Sequence, residues 1–303
     1  MKKNRAGIHA VVVTYRPDLE KLEKLFASLL PQVAQVVVVD NGSTNSVIAW
    51  LQAYATSAPL EVFPLGDNKG IAAAQNVGIA HAKQQGADYV ILFDHDSNPA
   101  PDMVAKLLAV AEAKAASGVA VAAVGPRYLD ERQDNPPPFI QVVGLKVMRQ
   151  PCACGDSVVD VSYLIASGCL IPMRALDVVG HMQEDLFIDF VDIEWGLRAR
   201  SKGFLSFGAC AALMDHDLGD EPIEFFGEKY PLHSPLRHYY HFRNAVWMYR
   251  QAWLPLHWKF ADGWRLVLKY GFYTLLAKPR HQHWWMMTKG VWHALTGRMG
   301  RLN

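Results

Sequence analysis

The chain lacks the features that mark membrane-spanning, secreted and disulfide-stapled proteins. It has only four cysteines in 303 residues, and none of its apolar runs reaches the roughly 18 residues of a transmembrane helix. The cysteines have no zinc-ribbon spacing, so we expect buried or free reduced thiols in a cytoplasmic protein. They are Cys152, Cys154, Cys169 and Cys210. The basic N-terminus precedes a short apolar run without a cleavage site, which predicts that no signal peptide is present.

The two glycine-rich loops that most often bind nucleotide phosphates are also missing. No GxxxxGK[ST] segment occurs, which excludes a P-loop nucleoside triphosphatase. The turn after the first predicted strand, Thr14 to Asp18, carries no glycine, which argues against a dinucleotide-binding fold. Basic and acidic residues nearly balance, at 30 and 29, and no nucleic-acid-binding module is recognisable, so we expect no nucleic-acid partner.

Apolar, β-branched segments alternate with amphipathic segments through the first half of the chain. The predicted strands are 10–13, 36–39, 60–65, 89–93 and 119–124, and the predicted helices are 18–30, 47–55, 71–85 and 101–117. Strands that are apolar on both faces and separated by helices indicate a mostly parallel sheet with right-handed crossovers.

After Gly125 this alternation weakens. Residues 130–138 predict a polar loop, and further strands are predicted at 142–147, 158–163 and 170–171. From about Pro231 the pattern becomes helical and rich in aromatic residues. We therefore expect a catalytic domain over residues 1–228 and a helical, basic and aromatic extension over residues 229–303.

Three predicted strands end in a polar residue, namely Thr14, Asp40 and Asp94. Ordinary turn chemistry explains Asp40 equally well when that strand is taken alone. In open parallel sheets, however, ligands bind outside the carboxyl ends of the strands. Three strands that direct polar groups to one edge therefore indicate a binding site there.

Asp94 and Asp96 give this site a chemical character. Residues i and i+2 of an extended segment point the same way, so the two carboxylates are expected to converge. Mg²⁺ or Mn²⁺ typically takes one or two protein carboxylates and completes its shell with water and substrate phosphates. Because no glycine loop is present to hold phosphates, a divalent cation is the favoured holder of a diphosphate.

These motifs together resemble the family 2 inverting glycosyltransferases, and within them the bacterial rhamnosyltransferases. The matching segments are 11–15 (VVVTY), 37–43 (VVVDNGS), 68–76 (NKGIAAAQN), 93–97 (FDHDS), 167–168 (SG), 187–195 (FIDFVDIEW), 216–219 (HDLG) and 233–237 (HSPLR). The resemblance implies an α/β fold of the GT-A type, in which helices flank a mostly parallel central sheet, followed by a helical C-terminal extension.

The resemblance also implies roles for individual residues. The nucleotide-binding residues would be Thr14, Tyr15, Asp40, Asn68, Gly70, Asn76 and Asp94. The cation ligands would be Asp94 and Asp96, with His216 completing the shell, and an imidazole ligand suits Mn²⁺ better than Mg²⁺.

The catalytic base implied by the resemblance is Asp192. Many relatives carry Glu-Asp where this chain has Val191-Asp192, so one acidic candidate is missing. On a helix Asp189 would share a face with Asp192 at i, i+3, while Glu194 would point away, which makes Asp189 the reserve candidate. Apolar neighbours on both sides argue against a merely solvated acidic helix end.

Two features of the C-terminal part leave alternatives open. Arg237, Tyr240 and Asn244 fall on one helix face and either close over the diphosphate or the acceptor, or pack on the catalytic domain. Residues 263–303 contain seven basic residues, four tryptophans and no acidic residue. This composition predicts either helices packed on the core or peripheral contact with the inner face of the cytoplasmic membrane.

The expected activity is transfer of L-rhamnose from dTDP-L-rhamnose, with inversion, onto a polysaccharide or lipid-linked saccharide during cell-surface glycan synthesis. The alternatives are a UDP-sugar donor and a non-catalytic nucleotide-sugar-binding protein. A sugar nucleotidyltransferase is disfavoured, because the turn from Thr14 to Asp18 is not rich in glycine and arginine.

Overall fold

The computed structural model describes residues 7–129, 139–216, 223–225, 228–230 and 233–302, with the backbone alone for 216, 223–225 and 228–230. The strands are β1 (Ile8–Thr14), β2 (Gln35–Asp40), β3 (Leu60–Pro64), β4 (Tyr89–Asp94), β5 (Ser97–Pro99), β6 (Val121–Leu129), β7 (Phe139–Val143), β8 (Lys146–Gln150), β9 (Val158–Val161), β10 (Cys169–Pro172), β11 (Leu205–His216), β12 (Ile223–Phe225) and β13 (Glu228–Tyr230). The helices are α1 (Leu19–Leu29), α2 (Asn45–Ala55), α3 (Ile71–Gln84), α4 (Met103–Ala116), α5 (Met173–Val179), α6 (Val191–Ser201), α7 (Pro235–Tyr249), α8 (Leu256–Leu276) and α9 (Arg280–Thr296).

Within the described residues, nine strands form one sheet in the order β3-β2-β1-β4-β10-β6-β11-β5, with β9 also paired to β11. Strands β1 to β4, β6 and β11 run in one direction, and β5, β9 and β10 run against them. The sheet is therefore mostly parallel, as expected. Its central strands are long β-branched runs because both of their faces are covered.

Alternate residues of the central strands pack on opposite faces of the sheet, in separate cores. Val12 and Phe93 pack in the core with α1 and α4. Val11 and Leu92 pack in the other core with α3, α6 and residues of α7, α8 and α9. The period-2 alternation of a strand produces this division. The C-terminal helices therefore share a core with the first half of the chain, and the division at residue 228 stays a prediction.

The structure confirms the βαβ pattern of the first half but corrects the second half. The strand predicted over 142–147 is wrong, because Gly144 and Leu145 form the tip of a hairpin between β7 and β8. Gly144 has a φ of 57°, which suits a tight hairpin turn. The long strand β11 was missed, because its run of small residues lacks the β-branched signal of the other strands. The loop predicted over 130–138 lies outside the described residues.

The prediction of reduced thiols is wrong for two of the four cysteines. Cys152 and Cys210 form a disulfide, whereas Cys154 and Cys169 are free. Spacing along the chain could not reveal this pair, since 58 residues separate its members. The argument from cysteine content to a reducing compartment therefore no longer holds. Across the described residues, every helix falls short of the length or apolarity needed to cross a bilayer.

Candidate active site

The three polar strand ends lie side by side at one edge of the sheet, as predicted. Thr14 is the register partner of Asp40 in the parallel pair β1–β2. Val13 is the partner of Asp94 in the pair β1–β4. The carboxyl ends of adjacent parallel strands thus bring these side chains to a common edge, where ligands bind in open α/β sheets.

Thr14 and Asp40 are joined by a buried hydrogen bond. The Thr14 hydroxyl donates to Oδ2 of Asp40 at 2.8 Å. Oδ1 of Asp40 accepts from the backbone N–H groups of Gly42 and Ser43 at 3.2 and 2.8 Å. Asp40 therefore fixes the turn after β2, and both of its oxygens already accept hydrogen bonds.

Asn68 and Gly70 shape the loop that leads into α3. Oδ1 of Asn68 accepts from Nδ2 of Asn41 and from the backbone N–H of Gly70. Gly70 has a φ of 91°, and a Cβ there would lie 2.6 Å from the carbonyl oxygen of Phe187. The same carbonyl accepts from the backbone N–H of Ile71 at 2.7 Å. Only glycine allows this approach, which joins the predicted nucleotide loop to the segment that precedes Asp192.

The side chain of Asn76 is engaged within the protein, and its contact with the nucleotide stays a prediction. It is 8% exposed, and its side chain binds the backbone of Met182 in both directions, at 2.9 and 3.0 Å. Its amide also donates to Oε1 of Glu184 at 2.8 Å. The amide thus ties α3 to the segment before α6, a structural role that the family motif could not distinguish from ligand binding.

Tyr15 and Tyr240 differ in how far they are exposed. Tyr15 is 39% exposed next to the end of β1, with the Arg16 guanidinium 5.2 Å from its ring centre, so its ring remains accessible to a ligand. Tyr240 is buried, stacks on Phe187 with ring centres 5.0 Å apart, and accepts from the backbone N–H of Leu302. Tyr240 therefore packs against the segment before α6, which was one of its two predicted roles.

Asp94 ends β4, but the segment after it is a turn and not the extended segment predicted. His95 and Asp96 form this turn, and β5 begins at Ser97. The Ser167 hydroxyl holds both ends of the turn: it accepts from the backbone N–H of Asp94 at 3.1 Å and lies 2.7 Å from the Ser97 hydroxyl. The two carboxylates therefore sit on a tight turn with a defined shape.

The chemistry of this turn fits a divalent cation. Within the part of the chain whose side chains are described, no three His, Cys, Asp or Glu residues form a ready-made cation site. Asp94 and Asp96 supply hard carboxylate oxygens, and one or two carboxylates are the usual protein share for Mg²⁺ or Mn²⁺. The backbone of His216 pairs with Ser97, directly after Asp96, so β11 brings this predicted third ligand beside the turn.

Asp192 lies in the first turn of α6, partly exposed and close enough to Asp94 and Asp189 for their charges to act on it. The pKa of Asp192 is raised from 3.8 to about 6, chiefly by burial, with a smaller contribution from the charges of Asp189 and Asp94 and against the opposing effect of backbone hydrogen bonds. A carboxylate with a pKa in this range accepts a proton more readily than an ordinary aspartate, which suits a general base. Glu194 points away, as predicted, and pairs with Arg198 at 2.7 Å.

Asp189 is not on the helix with Asp192, contrary to the prediction. The helix begins at Val191, and Phe187, Asp189 and Phe190 have φ values of 65°, 62° and 67°. A left-handed backbone conformation at a non-glycine residue typically costs about 1–3 kcal/mol, and such residues cluster at functional sites. Oδ1 of Asp189 instead accepts from Nε of Arg237 on α7 at 3.1 Å.

Two buried side chains of α7 hold this strained segment. The amide of Asn244 donates to the carbonyls of Leu186, Ile188 and Asp189 at 2.9, 2.7 and 2.8 Å. The guanidinium of Arg243 donates to the carbonyls of Asp185 and Leu186 at 3.0 and 2.8 Å. The Asn244 amide is therefore engaged in positioning this backbone, which is one of the two roles predicted for it. Arg243 was missed, although a charged residue inside the aromatic run 238–249 was a usable signal.

Comparisons with known proteins agree with this geometry. Residues 10–155 match the family model described as glycosyl transferase family 2. The chain is 34% identical to the dTDP-rhamnosyl transferase RfbF of Shigella flexneri over 253 aligned residues. This alignment covers 83% of this chain and 82% of that protein. Over 97 residues the chain is 31% identical to the uncharacterized glycosyltransferase YfnE of Bacillus subtilis, covering 30% of this chain and 24% of that protein.

Two solved structures have a similar fold. Residues 1–349 of S. aureus TarS superpose with a TM-score of 0.57 at 18% identity, over 96% of this chain and 81% of that one. GalNAc-T7, crystallised with UDP, GalNAc and Mn²⁺, superposes with a TM-score of 0.65 at 15% identity, over 97% of this chain and 58% of that one. At such identities the likeness concerns the fold alone.

Proposed function

The chain belongs to glycosyl transferase family 2 and has the GT-A fold, and from this premise we propose that it transfers L-rhamnose from dTDP-L-rhamnose with inversion. The donor is proposed from the Shigella flexneri relative, because the two chains align over most of their lengths. The acceptor class proposed is a polysaccharide or a lipid-linked saccharide in cell-surface glycan synthesis. The main support for catalysis is the position and the raised pKa of Asp192, whose partly exposed carboxylate lies beside the polar edge of the sheet.

The proposed reaction is a single displacement at the anomeric carbon. The acceptor hydroxyl oxygen forms the new bond to that carbon while the bond from the carbon to the diphosphate oxygen breaks, and the electron pair leaves with the diphosphate. Asp192 takes the proton of the acceptor hydroxyl, which typically contributes about 10²–10⁴-fold to the rate. Attack from the face opposite the leaving group inverts the anomeric configuration.

Asp94 and Asp96 are the residues that would hold a divalent cation, with His216 as the further candidate. When bound, such a cation neutralises negative charge on the leaving diphosphate. Arg237 contributes a guanidinium that pairs with Asp189, and it is a candidate contact for the diphosphate or the acceptor. Asp189 thereby acts as the partner of Arg237, and Asp192 is the proposed base.

The nucleoside pocket is proposed at the ends of β1 and β2. Tyr15 offers an accessible aromatic ring for the pyrimidine. Thr14 and Asp40 form the floor of the pocket through their mutual hydrogen bond, and Asn68 shapes its wall through the loop before α3. This assignment keeps three of the predicted nucleotide residues in supporting roles and gives direct contact to Tyr15.

We propose that residues 1–228 form the catalytic domain and that residues 229–303 form an extension that stabilises its active site. Arg243 and Asn244 support this division, since both lie on α7 and hold the backbone that leads into Asp192. We also propose that the protein works at the inner face of the cytoplasmic membrane, where a lipid-linked acceptor would be presented.

A donor panel tests the proposal directly. The protein is incubated with dTDP-L-rhamnose, dTDP-glucose, UDP-glucose or UDP-GlcNAc in the presence of Mn²⁺, and both thermal stabilisation and released nucleoside diphosphate are measured. We expect dTDP-L-rhamnose to give the largest stabilisation and the fastest release. Preference for a UDP-sugar would replace the donor assignment. Binding without release, in the presence of a crude lipid-linked saccharide fraction, would favour the non-catalytic alternative.

A further inference from the structure

Helix α8 carries a continuous stripe of large apolar side chains that face solvent. Its six members are exposed by between 54% (Leu268) and 69% (Leu256). They are Leu256, Phe260, Trp264, Val267, Leu268 and Leu275. At 3.6 residues per turn these positions span roughly a third of the helix circumference, so they form one face. The opposite face, with Trp258, Leu266 and Tyr273, is buried in the core.

The tip of the β7–β8 hairpin extends this face. Leu145 and Met148 are 66% and 44% exposed, and they border a groove of about 500 Å³ whose other wall includes Phe260 and Trp264. Contiguous exposed apolar surface of this kind is rare on monomeric proteins and usually marks a site that binds a membrane or another protein. The sequence alone left open whether the C-terminal helices pack on the core or contact a membrane; α8 does pack on the core through Trp258, Leu266 and Tyr273, and this packing leaves Phe260 and Trp264 exposed.

The charged residues around the stripe are mostly basic, and the one acidic residue of α8, Asp262, accepts a hydrogen bond from the Tyr249 hydroxyl at 2.6 Å. Residues 263–302 contain seven basic residues and no acidic residue. One of the seven, Arg301, pairs with Asp67, and Arg265, Lys278 and Arg280 are exposed beside or just after α8. The next helix, α9, also exposes three tryptophans, Trp284, Trp285 and Trp292, by 44%, 56% and 60%. Tryptophan and basic residues together are typical of helices that lie in the interface of an anionic bilayer.

We propose that the α8 stripe and the β7–β8 tip form a docking face for an anionic phospholipid surface, with α8 lying in the plane of the interface. The apolar stripe inserts at the boundary between headgroups and acyl chains, and the flanking basic side chains contact lipid phosphates. This inference deepens the proposed membrane contact by locating it, and it does not depend on which sugar is transferred.

A second copy of the chain is the other occupant that an apolar face could take. Charge argues against it, because a two-fold contact through this face would bring two sets of basic residues together without acidic partners on residues 263–302. An anionic surface attracts the same residues. The two occupants are therefore distinguished by their dependence on lipid charge.

Vesicle flotation of the full-length protein tests the docking face. Vesicles of phosphatidylcholine are compared with vesicles that also contain phosphatidylglycerol, at low and high salt. We expect flotation with the anionic vesicles that weakens as salt screens the charges. The double variant Phe260→Ser/Trp264→Ser should lower the bound fraction about tenfold or more, because it removes two interfacial aromatic anchors. Lys278→Glu/Arg280→Glu should remove the preference for phosphatidylglycerol.

The matched control is Val178→Ser, which changes an apolar residue of similar exposure, 54%, on α5. It should float like the wild type. Circular dichroism melting checks that each variant is folded, and release of nucleoside diphosphate from the donor checks that the active site is intact. Normal release without flotation of the wild type would overturn the docking face and leave the proposed function standing.

Two further results would also overturn the docking face. One is flotation of Phe260→Ser/Trp264→Ser at the wild-type level. The other is a wild-type protein that does not bind vesicles and sediments as a dimer, while the double variant sediments as a monomer. That result would assign the face to a second copy of the chain. Flotation that depends on phosphatidylglycerol, in a protein that releases no nucleoside diphosphate from any donor, would support the docking face and refute the proposed function.

Discussion

The side-chain amide of Asn244 lies 2.8 Å from the carbonyl oxygen of Asp189, across 55 residues of sequence. This contact joins the first helix of the C-terminal part to the left-handed segment that precedes Asp192. Three non-glycine residues of that segment have positive φ, a conformation that persists only when surrounding structure holds it. Asn244 and Arg243 supply that support, so the geometry of the proposed base depends on α7.

Replacement of Asn244 by Ala should therefore uncouple α7 from the base. Three carbonyls each lose the hydrogen bond from Asn244, and only that of Leu186 keeps a bond from Arg243, which should lower the free energy of unfolding by about 2–4 kcal/mol. Misplacement of a catalytic group by about 1 Å can cost about 10²-fold in rate, so kcat should fall by one to two orders of magnitude while the donor KM changes little. Urea unfolding and steady-state kinetics measure both effects.

Gln52→Ala serves as the control for Asn244→Ala, because it removes an exposed side-chain amide from α2. It should leave both unfolding and kcat unchanged. A rise in donor KM with an unchanged kcat for Asn244→Ala would contradict the positioning role and favour direct contact with the donor.

Replacement of Asp192 by Asn should lower kcat by about 10²–10⁴-fold and leave donor affinity within a few-fold of wild type, because the base acts on the acceptor. Initial rates and calorimetric titration with the donor separate these effects. Asp189→Asn is the matched comparison: it breaks the pair with Arg237 at 3.1 Å and should reduce kcat less. Wild-type turnover by Asp192→Asn, or a larger loss of kcat in Asp189→Asn, would show that another residue is the base.

The raised pKa of Asp192 predicts a pH dependence. The base must be deprotonated, so kcat/KM should rise with pH and level off above about 6. Because the pKa in the folded state exceeds 3.8, the folded state binds this proton more tightly than the unfolded chain does. Asp192 should therefore favour folding at pH values below about 3.8 and lose this relative contribution as the pH rises to about 6.

Asp192→Asn isolates this linkage. The difference in unfolding free energy between wild type and variant should change across pH 4–6, with the wild type relatively less stable at the upper end, by roughly 1–3 kcal/mol. Urea unfolding at several pH values measures it. A constant difference over this range would show that the pKa of Asp192 is not raised.

The sequence predicted what depends on local pattern, and failed where distant segments meet. Thr14, Asp40 and Asp94 were placed correctly, because each closes a buried strand and parallel strands share an edge. The hydrogen bonds between Asn76 and Met182 were missed, because a motif gives the identity of a residue without its partner 106 positions away. Long-range partners of this kind become visible only when the chain is folded.

The local backbone also limited prediction around Asp192 and Asp96. Helical spacing placed Asp189 with Asp192, but three residues with positive φ delay the start of α6 to Val191. Extended spacing was assumed for Asp94 and Asp96, but the Ser167 hydroxyl and the short strand β5 select a turn. In both cases tertiary contacts override the local periodicity.

The disulfide between Cys152 and Cys210 should stabilise the fold by about 2–4 kcal/mol, since it cross-links the segment after β8 to β11. Reductant should lower the denaturant midpoint of the wild type, and Cys210→Ser should match the reduced protein with no further response. Cys154→Ser is the control, because Cys154 is free and exposed. A wild-type midpoint that does not respond to reductant would contradict the predicted stabilisation. Alkylation of the unfolded, unreduced protein tests the bond itself: two reactive thiols would show that the disulfide is present, and four would disprove it.

Asp94 and Asp96 should make donor binding depend on a divalent cation. Calorimetric titration of the wild type with the donor should give an affinity at least about tenfold higher with Mn²⁺ than with EDTA, because the cation offsets repulsion between the two carboxylates and the diphosphate. Asp94→Ala and Asp96→Ala should each remove most of this difference. Asp102→Ala, which removes an exposed carboxylate that pairs with Lys106, should retain it. Equal affinity with Mn²⁺ and with EDTA in the wild type would show that donor binding needs no cation. In that case Arg237 would be the first residue to replace, since its guanidinium already lies beside Asp189.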